Sequence, residues 1–150
     1  MITAYHKLNT HILNVERGEE LFSSLRQFLD KEQIKAGYFT GLGAAGELDI
    51  AYYNLEAKKF ERHTIKEDVE ILSLVGNIAM LKDERIIHIH GTFGRRDLSL
   101  FGGHLFALQI SGACEIHLTK LSKTMSRAYD GATGLSLLCS PASIIRALNV

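Results

Sequence analysis

Ile86-Ile87-His88-Ile89-His90 and, shortly after it, Gly102-Gly103-His104-Leu105 are the stretches whose reading decides the fold. The first alternates isoleucine with imidazole. That is the period-two pattern of a β-strand, whose successive side chains point to opposite faces. Ile87 and Ile89 therefore enter a core, and His88 and His90 share the other face. The second stretch also reads as strand. Too few residues separate the two for a crossover helix, so they pair antiparallel. The glycines before His104 let the backbone approach closely where a side chain would block it, and the pairing brings His104 across from His90.

Working outward, residues 8–15 read as an opening strand, and strand character recurs at 36–40, 48–54, 70–78, 104–111 and 114–118. The clearest helix runs over 19–31. Leu21, Phe22, Leu25, Phe28 and Leu29 form one apolar stripe, with Glu19 and Glu20 at its start and Lys31 near its end, as the helix dipole favours. Ser140-Pro141 resembles an N-cap and first helical residue, which predicts a short closing helix over 142–148. One main helix against a mostly antiparallel sheet is an α+β fold. With 150 residues, one proline, no repeat and no low-complexity segment, the chain reads as a single domain over 1–150.

Composition narrows the function. Lys and Arg number 17, as do Asp and Glu, so the formal charge is zero. A neutral chain is a poor polyanion binder, because nonspecific nucleic-acid affinity comes from neutralising phosphates. It also lacks the self-repulsion that discourages association. Cys114 and Cys139 sit in apolar surroundings and read as free thiols of a reducing compartment. No stretch suits a signal peptide or a membrane span, so the expected location is the cytoplasm, with no membrane partner.

Three imidazoles on one patch, His88, His90 and His104, point to a metal site. Catalytic zinc often has three protein ligands and an open fourth position for water or substrate. The competing reading is a polar strand face turned to solvent. His6, His11 and His63 fall among polar residues near expected surface turns, and His117 reads as exposed on a strand. Gly41-Leu42-Gly43-Ala44-Ala45-Gly46 matches the dinucleotide fingerprint, but strand formers follow it where a helix is required. Its glycines read instead as a tight connection between strands. No hydrolase elbow, phosphate loop or His-Glu-x-x-His is present. Glu70 opens an apolar strand, either as an acceptor or base behind the metal ligands or as the partner of an edge lysine. Asn77, after Gly76, is a second supporting candidate or simply a turn residue. Arg95-Arg96-Asp97 reads as a hairpin tip, and Lys120, Lys123 and Arg127 as a small basic surface run.

Taken together, Gly41-Leu42-Gly43-Ala44, Glu70 through Ile78, His88-Ile89-His90, Gly102-Gly103-His104-Leu105, Ser126 through Asp130 and Thr133-Gly134-Leu135 resemble the plants-and-prokaryotes-conserved (PPC) domain in its stand-alone prokaryotic form. The resemblance spans roughly residues 7–138 and leaves a C-terminal extension. It implies an α+β fold assembled as a homotrimer, with a divalent metal, zinc first, on His88, His90 and His104. In plants the domain accompanies an AT-hook. This chain has no Arg-Gly-Arg-Pro, and it carries Glu67-Asp68-Val69 where plant members have Gly-Arg-Phe. DNA is therefore a doubtful partner on that analogy.

The leading expectation is a trimeric, cytoplasmic metal-binding protein. An open metal position would admit a small-molecule ligand and allow hydrolysis or hydration. The alternative is a noncatalytic oligomeric module that binds DNA or a regulatory partner. Leu105-Phe106-Ala107-Leu108 and Ile71-Leu72-Ser73-Leu74-Val75 offer apolar residues to both sheet faces. One helix covers only one face, so the other is expected to be covered by another subunit.

Overall fold

A computed structural model describes residues 1–139. The strands are β1 (Ile2–Lys7), β2 (Thr10–Glu16), β3 (Gly37–Asn54), β4 (Lys59–Ile65), β5 (Val69–Leu81), β6 (Glu84–Gly94), β7 (Leu100–Lys120), β8 (Ser126–Asp130) and β9 (Leu135–Cys139). One helix, α1 (Leu21–Lys31), separates β2 from β3. The helix expected over 142–148 lies outside the described residues.

The strands form one sheet, antiparallel except where β5 meets β8. Four of them close a ring: β3 pairs β5, β5 pairs β6, β6 pairs β7, and β7 returns to β3. Phe39, Leu74, Ile89, Phe93 and Leu105 are buried in the core of this closed sheet. α1 buries Leu21, Phe22, Leu25, Phe28 and Leu29, the stripe read from the sequence. It starts at Leu21 rather than residue 19. Glu20 is the N-cap, and its carboxylate accepts from Phe22 N (3.0 Å) and Ser23 N (2.8 Å), satisfying donors that no turn of helix can reach.

Ring closure overturns the expectation of a tight connection at Gly41–Gly46. β3 runs straight through these residues, with register shifts against β7 at Gly43/Ala45 and Ala45/Glu47. A β-bulge bends a strand without ending it. The bend lets one half of β3 pair with β5 and the other with β4, while β7 follows both. The expected strands at 104–111 and 114–118 are likewise one strand, β7.

Apolar cover differs on the two strands expected to be two-faced. Leu105 and Leu108 are buried inside, and Phe106 on the outside packs against Phe60 of β4 and under Arg62. β4 therefore covers that part of the outer face within the chain. On β5, Leu72 and Val75 remain exposed.

Candidate metal centre

The β6–β7 ladder sets His90 opposite His104. β6 also pairs with β5, which puts Asn77 opposite His88 and Val75 opposite His90. Side chains alternate along β6, so Ile89 is buried in the core while His88 and His90 point outward. The glycines before His104 make this approach possible. A Cβ on Gly102 would lie 2.6 Å from Gly91 O, and one on Gly103 would lie 2.7 Å from Ala51 O. Neither contact tolerates a side chain.

The three rings converge. Their centroids are 5.0 Å (His88–His90), 4.9 Å (His88–His104) and 5.4 Å (His90–His104) apart. One nitrogen from each lies within 4.8 Å of the others. Tetrahedral zinc with nitrogens at about 2.0–2.1 Å brings them to roughly 3.3 Å of one another, a shift that side-chain rotation can cover. Burial, then the Arg127 guanidinium and His90, pushes His88 down to about 4. Burial, then its neighbouring histidines and Arg127, pushes His104 to about 4. Both imidazoles are therefore neutral at pH 7, the form that ligates metal.

The cluster opens into a cavity of about 660 Å³. Phe60 and Phe106 wall it beside His104, with ring centroids 4.7 and 4.8 Å from the imidazole. The β8–β9 hairpin closes another side. It is tied down by Tyr53 Oη donating to Thr133 O (2.8 Å) and Lys58 Nζ donating to Gly131 O (2.7 Å).

Arg127 was expected in a basic surface run with Lys120 and Lys123. It is instead partly buried and lines this cavity. The pairing of β8 with β5 at Met80–Ser126 brings it beside Asn77 and His88. Its Nη2 donates to Asn77 Oδ1 (2.7 Å) and His88 Nδ1 (3.2 Å), and its Nη1 donates to Ser136 O (2.8 Å). Nε is buried without a partner. Lys120 donates to Glu32 O at the end of α1, so the run is divided.

Asn77 thus sits mid-strand and holds Arg127 rather than forming a turn. Glu70 lies near the other end of β5, exposed, opposite Ala44 and Gly94, and does not line the cavity. Arg95-Arg96-Asp97 is the β6–β7 hairpin tip, where Asp97 accepts from Ser99 N (2.9 Å). Both cysteines are free. Burial, with Glu115 nearby, pushes the Cys114 thiol up to about 12, which makes it inert. His11, expected near a surface turn, is buried under His6 and Phe28.

A closed strand ring with a helix beside it and three histidines on its outer face defines the class: an α+β protein with a candidate metal centre. Residues 2–122 match the model of the Plants and Prokaryotes Conserved (PCC) domain, and the chain belongs to that family. The match begins before the residue expected from the motifs and ends short of the β8–β9 hairpin. Among solved structures, a candidate DNA-binding protein from Bacteroides thetaiotaomicron is 32% identical, with 91% of this chain and 96% of that one covered and a TM-score of 0.86. A metal-containing protein from Archaeoglobus fulgidus is 31% identical (93% and 99% covered, TM-score 0.83). A plant- and prokaryote-conserved protein from Pyrococcus horikoshii is 28% identical (93% and 98% covered, TM-score 0.81). A search of curated proteins found no match.

Proposed function

We propose that this protein binds one divalent metal ion per subunit through His88, His90 and His104, at the wall of a ligand-accepting cavity. The carrying observation is the convergence of three imidazole nitrogens within 4.8 Å. The likeness to a metal-containing archaeal protein supports it. Zinc is the first choice because neutral imidazoles suit it, although nickel, copper and iron take the same ligands. When bound, such an ion supplies a Lewis acid able to acidify water for hydrolysis or hydration. The chain's own residues hold it, shape the apolar walls and set a guanidinium beside it. Among the described residues no Asp or Glu lines the cavity. The largely apolar walls beside the Arg127 guanidinium favour metal-dependent ligand binding as the better supported role.

The same reading has the domain, 1–150, act as a cytoplasmic homotrimer. No helix among the described residues is long and apolar enough to cross a membrane. Tyr38, Leu42, Leu72 and Val75 on the neighbouring strands β3 and β5 are 53%, 54%, 52% and 58% exposed. Such a patch is a self-association surface in character. Val75 pairs with His90, so the patch adjoins the metal ligands. The second reading is a noncatalytic DNA-associated module. The name carried by the Bacteroides relative favours it and runs against the expectation that DNA is a doubtful partner. Metal analysis of protein purified without a histidine tag tests the first reading: zinc near one equivalent supports it, and a metal-free protein that ignores added zinc refutes it.

A further inference from the structure

The hydrogen bond from Arg127 Nη2 to His88 Nδ1 carries a chemical constraint. A guanidinium only donates, and a neutral imidazole has one nitrogen able to accept. A metal on His88 takes that same lone pair, whichever ring nitrogen presents it, and leaves the other nitrogen as an N–H. Two donors then face each other. Metal ligation by His88 and its bond from Arg127 are therefore mutually exclusive.

Metal uptake accordingly frees one Nη2 hydrogen of Arg127, while Asn77 Oδ1 and Ser136 O keep the guanidinium in place. Nε is already without a partner. Nε and Nη2 lie on one edge of the guanidinium, the fork that takes a carboxylate in two parallel bonds once side-chain movement uncovers the buried Nε. The charges point the same way. A divalent ion and Arg127 share a cavity whose described lining has no carboxylate, so the loaded site is strongly positive and uncompensated. The remaining walls are mainly apolar, from Phe60, Phe106, Leu135 and Leu137, with Arg26 a second cation among the lining residues. The volume suits a small organic molecule.

We propose that the cavity takes a small organic carboxylate with an apolar or aromatic body, bound between the metal of the three-histidine site and Arg127. The proposal rests on the metal reading above. It also makes binding ordered and cooperative: the metal releases the fork, and the carboxylate balances the charge. By linkage, each tightens the other by the same factor.

Calorimetry separates the two ideas. Zinc is titrated into metal-free protein, and the loaded protein is then titrated with benzoate, benzamide and acetate. Benzoate is expected to bind roughly tenfold or more tightly than benzamide, which lacks the charge, as a charge-assisted pair requires. It should also exceed acetate, which lacks the apolar body, and bind the metal-free protein at least about tenfold more weakly. Arg127→Gln should take up zinc and lose the preference for benzoate. Because Arg127 also ties β8 to its neighbours, Arg127→Lys is measured beside it. Lysine keeps the charge without the fork and should retain only part of the preference. Failure to take up zinc overturns the metal reading and this inference with it. Zinc uptake with benzoate no tighter than benzamide overturns the inference alone, as charge balance by a carboxylate of a second copy would produce. Full benzoate preference in both folded Arg127 variants overturns it as well.

Discussion

His90 and His104 stand directly opposite each other across the β6–β7 ladder, their ring centroids 5.4 Å apart. A cross-strand pair is fixed by register, so the two Cβ atoms stay side by side and both rings can reach one ion by rotation alone. Each should therefore be indispensable for metal. His90→Ala and His104→Ala are expected to weaken zinc binding by more than about 100-fold, beyond the usual cost of losing a mere supporting group. Zinc at about 100 times its Kd should stabilise the wild type by about 2.7 kcal/mol. The alanine variants should show no such rise in melting temperature. An unchanged metal content in His90→Ala would remove the site.

Gly103 is the backbone counterpart of that geometry. Its Cβ would meet Ala51 O at 2.7 Å and Ile50 Cγ1 at 3.1 Å, both on β3. Gly103→Ala should push β7 off β3, costing about 1–3 kcal/mol as overpacking does, and should weaken zinc by displacing His104. Gly131, with nothing within 4 Å of the added carbon, is the control, and its alanine variant should melt within about 0.5 kcal/mol of wild type. Equal stability of the two variants would show that the close approach is not needed.

The convergence of the three histidines was legible because its signals are local: alternation placed His88 and His90 on one face, and two glycines announced His104. Arg127 was not, because nothing in Ser126-Arg127-Ala128 says which neighbour the strand will meet. Its partners Asn77 and His88 are distant in sequence. β1 and β4 were missed for another reason. All six residues of β1 are exposed, and β4 is exposed at five of seven positions, so neither carries apolar alternation. The hairpin turns also lacked the usual punctuation. Leu8, Lys58 and Lys82 adopt positive φ where glycine or asparagine would have marked a turn, whereas the β6–β7 tip at Arg95-Arg96-Asp97 was read from its sequence. Ring closure was invisible because a bulged strand and two strands with a short connection have the same sequence pattern.

Assembly is tested at Val75, which is exposed, apolar and opposite His90. Val75→Arg places a charge in the proposed interface, where an unpaired cation is strongly disfavoured. Light scattering of the wild type should give three times the 16.7 kDa chain mass, and the variant should fall to a single chain. Zinc titration of that variant then shows whether metal and assembly are coupled. A wild-type monomer at micromolar concentration with zinc present would end the trimer proposal.

DNA binding is expected to be weak despite the name carried by the Bacteroides relative. Formal charge is zero, and Lys120 and Arg127 are both engaged within the chain. Of that small basic run only Lys123 is left to displace counterions from phosphates. Anisotropy titration at physiological salt should show no saturable complex with duplex DNA. A tight complex that weakens steeply with salt and is lost in Lys123→Glu would favour the module reading instead.

His11 provides the pH test. It is buried, stacked on His6 at 4.3 Å, edge-on to Phe28 at 5.2 Å, and its Nε2 has no partner. Burial, then the charge of His6, lowers its pKa below the ordinary 6.5, with Lys120 adding to this and Glu32 opposing it. The unfolded chain therefore takes up a proton before the folded chain does. Stability from this group is fully present above about pH 6.5 and falls as the pH drops below it, until the folded form also protonates. His11→Leu removes both the unpartnered nitrogen and the titration. It should stabilise the protein by about 1 kcal/mol at pH 7 and by more at pH 5. His88 and His104, whose values are also lowered, contribute the same slope to both proteins and cancel in the difference. Thermal melts of metal-free protein at the two pH values measure it. A difference that is constant with pH, or a variant less stable at pH 5 than wild type, would show that His11 takes its proton as easily folded as unfolded.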